Sequence, residues 1–94
     1  MALMLMNFEV DDYDAWKKRF DEDPVGREEA GATAYMISRA ADNPNEAFVR
    51  VDFPSVDQAK AFREKLVASG VLERSGMRMK AGPTVAEVAE RHEY

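Results

Sequence analysis

In Ala47-Phe48-Val49-Arg50-Val51-Asp52-Phe53, small or apolar residues alternate with Phe48, Arg50 and Asp52, a period of two that an extended strand turns into one buried face. The preceding run Thr33–Arg39 is rich in β-formers, and Asp42-Asn43-Pro44-Asn45 separates the two. Pro fixes φ there while Asn and Asp tolerate the left-handed region, so the stretch predicts an antiparallel hairpin. Two registers fit, with Ile37 opposite Val49 or opposite Arg50. A slip of one residue sends every side chain to the other face, so the composition of each face stays open at this point.

The remaining elements build on the sheet that this hairpin begins. Leu3–Val10 reads as a strand that is apolar on both faces, with Met4, Met6, Phe8 and Val10 on one side and Leu3, Leu5, Asn7 and Glu9 on the other, a pattern suited to a central position. Asp11-Asp12 offers a helix N-cap, and Tyr13, Trp16 and Phe20 follow at helical spacing. Pro24 and Gly26 interrupt that stripe. The helix either stops near Glu22 or restarts with Asp23 as cap, ending at Gly31. Ser55-Val56-Asp57-Gln58 is a capping box, and Val56, Ala59, Phe62 and Leu66 form a second helical stripe that stops at Gly70. Residues 71–82 lack a clean period and predict a helical turn followed by a loop, and Pro83 opens a last strand from Thr84 to about Arg91.

The order β-α-β-β-α-β defines an α+β, ferredoxin-like split βαβ fold: a four-stranded antiparallel sheet with both helices on one face. With 94 residues, 46% of them hydrophobic, the chain makes one domain, 1–94, with a modest core. The uncovered sheet face is apolar in either register, and a second copy placed by twofold symmetry is the simplest cover, so a homodimer through the open sheet face is expected.

Several classes of function are disfavoured. No cysteine is present, so thiol nucleophiles, disulfides and thiolate metal sites are absent. A net charge of −5 and the lack of a basic stripe argue against nucleic acid. The apolar run Met1–Met6 is too short for a membrane span and has no basic leader, so the expected location is cytoplasmic. His92 is the only histidine and stands near the chain end, which suits an exposed tail better than proton transfer, and no metal site is expected.

The segments Val10–Lys17, Arg27–Gly31, Asp42–Glu46 and Ala59–Phe62 resemble small members of the dimeric α/β-barrel superfamily, which includes the antibiotic-biosynthesis-monooxygenase-like proteins. The likeness runs over about Leu3 to Val88 and rests on structural motifs. It implies a dimer of ferredoxin-like halves, each with a small-molecule pocket between helices and sheet. The implied function is binding of an aromatic or polyketide-like metabolite, with cofactor-independent monooxygenases, cyclases and isomerases among the relatives. The alternative is a non-catalytic dimeric binding or accessory protein. In the haem-degrading branch an Asn on the first strand accompanies a Trp and a His in or near the second helix; Asn7 matches, but the second helix here offers Phe62 and neither of the others. No cofactor is expected.

Five residues are candidates for substrate binding. Asn7 is an amide on an apolar strand that either holds a substrate oxygen or is satisfied by backbone. Trp16 lies on the first helical stripe, where core packing competes with stacking on a ligand. Tyr35 either presents its phenol to a ligand or is a strand residue with a wet tip. Arg50 and Asp52 share a face of the third strand and either pair across the subunit interface, line the pocket or sit at a solvated edge. Arg39, near the turn, is expected in solvent. No pattern identifies a catalytic residue.

Overall fold

A computed structural model describes residues 1–94. The elements are β1 (Ala2–Val10), α1 (Tyr13–Asp21), β2 (Ala34–Ala40), β3 (Asn43–Phe53), α2 (Val56–Ser69), a 3₁₀ turn at Val71–Glu73, and β4 (Met77–Glu87). The sheet order is β2-β3-β1-β4 and every pairing is antiparallel, the split βαβ arrangement with one sheet face covered by the helices. β1 is central, as its two apolar faces predict.

Ile37 pairs with Val49, which settles the register. Ala47, Val49, Val51 and Phe53 therefore face the helices and are buried, while Phe48 and Arg50 face away. The hairpin is tighter than Asp42–Asn45 suggests: Ala40 pairs with Asn43, and the register shifts beyond them. Pro44 sits in this irregular stretch, where its missing N–H is harmless, and its carbonyl accepts from Arg39 Nε at 2.7 Å. Arg39 is exposed, as expected, and its guanidinium carbon lies 3.9 Å from the centre of the Tyr13 ring.

The last third of the chain differs most from expectation. β4 begins at Met77, not at Thr84, and ends at Glu87 rather than Arg91. Met77 and Met79 face the core opposite Val10 and Phe8, alternating with Arg78 and Lys80. Asn7 then faces Ala81 and Leu5 faces Thr84, so β4 carries two extra residues, one at Lys80 and one at Gly82-Pro83. The latter bulge, on an edge strand, tolerates Pro, and it hides the strand's continuity in the sequence. α1 stops at Asp21 without restarting: Asp23 takes φ 50°, and the chain runs through turns to β2.

Eleven apolar residues form the core, from β1, β3 and α2, with Phe8, Phe53 and Phe62 its largest rings. Each such ring contributes about 1.5–3 kcal/mol on burial. α1 contributes no fully buried residue; it leans on the sheet through half-buried Tyr13, Trp16 and Phe20. That looser seat leaves space beneath it. No helix is long and apolar enough to cross a membrane.

Candidate functional site

Asp12 starts α1 by accepting a hydrogen bond from the Ala15 N–H at 3.2 Å, and this cap orients the stripe that follows. Trp16 lies with its ring centre 5.1 Å from both Phe8 and Phe20, and 5.7 Å from Tyr13. Behind this row is a cavity of about 240 Å³. Its floor is Met4, Met6, Phe8 and Val51 of the sheet; α1 supplies Trp16 and Phe20, α2 supplies Phe62 and Leu66, and Val71, Leu72 and Met77 complete the wall. Aromatic faces and flexible thioethers suit a flat, apolar guest.

The charged part of the lining consists of Asp11, Asp12, Asp23, Arg19, Arg27 and Arg74. Arg27 is the most constrained of them. Its guanidinium carbon lies 3.7 Å from the centre of the Phe20 ring and 5.3 Å from that of Tyr35, and its Nη1 is 3.5 Å from Asp23 Oδ1. The same carboxylate oxygen accepts the Arg27 N–H at 2.8 Å. Asp11 accepts from Arg78 Nη1 at 2.8 Å, and this partner holds the Arg78 guanidinium above its ordinary pKa.

The opposite sheet face has its own concavity, of about 440 Å³, lined by Leu5, Asn7, Met36, Ser38, Phe48, Arg50, Ala81 and Thr84 among others. Asn7 Nδ2 donates to Glu46 Oε2 and to the Ala47 carbonyl, both at 3.1 Å, so both amide protons are committed within the sheet. Lys80 Nζ donates to the same Glu46 oxygen at 3.0 Å. These two donors, Asn7 first, hold the Glu46 carboxyl below its ordinary range, and Glu46 in turn raises Lys80. Arg50 Nε meets Asp52 Oδ1 at 3.0 Å within one chain, and Asp52 is the single buried charged residue.

The five residues singled out in the sequence are therefore divided between two faces. Trp16 lines the helix-side cavity. Tyr35 lies outside that lining and meets it through Phe20, ring centres 5.0 Å apart. Asn7 and Arg50 line the open-face concavity, with Asp52 bound to Arg50. Sequence reasoning missed Arg19, Arg27 and Arg74 as lining residues. Arg19 stands three residues after Trp16 and so shares its side of the helix, a usable signal; Arg27 and Arg74 lie in aperiodic segments that offered none.

No protein-family model matches the sequence, and no curated protein matches it. Solved structures with this fold do exist. A candidate antibiotic biosynthesis monooxygenase from Deinococcus radiodurans aligns over 100% of this chain and 98% of its own, with TM-score 0.59 and 14% identity. The protein Rv0793 of Mycobacterium tuberculosis aligns over 99% of this chain and 98% of its own, with TM-score 0.58 and 16% identity. A further candidate antibiotic biosynthesis monooxygenase, from Nitrosomonas europaea, covers 96% of this chain and 100% of its own at TM-score 0.52 and 12% identity. The likeness spans the whole domain and is a likeness of fold.

Proposed function

We propose that this protein is a homodimer, paired through the open face of its sheet, that binds a small aromatic or polyketide-like metabolite in the cavity beneath α1. The chemistry proposed there is cofactor-independent oxygenation, or cyclisation or isomerisation, driven by holding the guest in one orientation in a dry enclosure. The observation that carries this reading is the cavity walled by Phe8, Trp16, Phe20 and Phe62. The names of the two candidate monooxygenases that share the fold support the same general kind of function.

A second reading, a non-catalytic binding or accessory protein, is favoured by one feature: no His, Cys, Lys or Tyr lines the cavity. The two separate on incubation with one- and two-ring quinols under oxygen, followed by oxygen uptake and product mass. Turnover that falls at least tenfold in Trp16→Ala, in a variant that still folds, supports the enzyme. Thermal stabilisation by the quinol without product supports the binding protein, and neither effect removes the cavity from both accounts.

A further inference from the structure

The charges that line the cavity are not equally free to meet a guest. Asp11 is paired with Arg78, Asp23 with Arg27, and Asp12 is committed to the first turn of α1, at the positive end of that helix. Arg27 is spent on Asp23 and on the Phe20 ring, with only 15% of its side chain exposed. Arg19 and Arg74 remain, and neither has a carboxylate within 4.0 Å. Lys18, Arg39, Lys60, Arg63 and Lys65 also lack a carboxylate partner, but none of them lines the cavity. In a chain of net charge −5, two guanidinium groups without a carboxylate partner thus line a mostly apolar space whose other charged groups are already committed.

We infer that the guest of this cavity is an anion: a one- or two-ring aromatic carboxylate whose ring enters among Trp16, Phe20 and Phe62 while its carboxylate is taken by Arg19 and Arg74. The inference rests on the cavity reading above and adds the charge of the ligand. A planar guanidinium matches a carboxylate through paired N–H donors, which a neutral amide of the same shape cannot reproduce. The volume of about 240 Å³ lies below the usual range for drug-sized ligands, which limits the guest to a small ring system.

The test uses 2-naphthoate and its neutral isostere 2-naphthamide, titrated by calorimetry into the intact protein. The expected result is about tenfold tighter binding of the carboxylate, with a gap that narrows as salt is raised. In Arg19→Gln/Arg74→Gln the gap should fall below about twofold, whereas Lys60→Gln/Arg63→Gln, an equal charge change outside the lining, should preserve it. Equal binding of the two probes by the wild type overturns the inference and leaves the cavity reading standing. A preference that survives in the double variant overturns the assignment to Arg19 and Arg74. Binding of neither probe at millimolar concentration overturns the inference, and only the further failure of the quinols to stabilise the protein overturns the cavity reading with it.

Discussion

Glu46 joins two strands and two kinds of donor: one of its oxygens receives both the Asn7 amide and the Lys80 ammonium. Its pKa is lowered in the folded protein, so its contribution to stability is present above the ordinary value of 4.5 and is lost as pH falls through the depressed folded value. Lys80 acts in the opposite sense, its contribution fading only as pH climbs through a value raised above 10.5. Glu46→Gln should therefore show a shallower loss of urea midpoint between about pH 5 and pH 3 than the wild type. Superimposable pH profiles would remove the network from the stability of the fold. Asn7 also shows how far a single residue can be read from sequence. That a strand amide needs partners follows from its chemistry, but that Glu46, 39 residues away, supplies one depends on the register.

At the level of elements, the hairpin and α2 were legible because their signals are local: alternation for β3, a capping box and a left-handed Gly70 for α2. Ser55 does accept from the Gln58 N–H, at 3.2 Å. β4 was only half legible, although Met77-Arg78-Met79-Lys80 alternates as cleanly as β3, because Gly82-Pro83 looks like a strand boundary until a partner strand shows it to be a bulge. The division of Asn7, Arg50 and Asp52 from Trp16 was illegible for a similar reason, since face membership is set by pairing across strands. Gly82 holds the bulge at φ 87°, where a methyl group would run into the Leu5 carbonyl and approach Met6 Cα to 3.2 Å. Gly70 has a similar φ of 77° but open space around it. Gly82→Ala should cost on the order of 2–4 kcal/mol in equilibrium unfolding, and Gly70→Ala about 1 kcal/mol, the left-handed penalty alone. Equal costs would mean that the close approach of β4 to β1 contributes nothing.

Across the whole molecule, 12 of 94 residues are buried, while Leu5, Met36 and Phe48 stand 37%, 48% and 45% exposed on the open sheet face. A second copy over that face would remove these groups from water and supplement a small core. Sedimentation at micromolar concentration should give a species of twice 10.6 kDa for the wild type, and Phe48→Glu should shift it to the single chain. A wild-type monomer would end the paired account while leaving the helix-side cavity untouched. That cavity is the central claim, and the methionines report on it directly: Met4 and Met77 line it, while Met36 lines the opposite concavity. With ¹³C-methyl-labelled methionine and 2-naphthoate added to saturation, the Met4 and Met77 methyl resonances should move by ring-current shifts while Met36 stays in place. Movement of Met36 with Met4 and Met77 unchanged would put the ligand on the wrong face of the sheet and contradict the account.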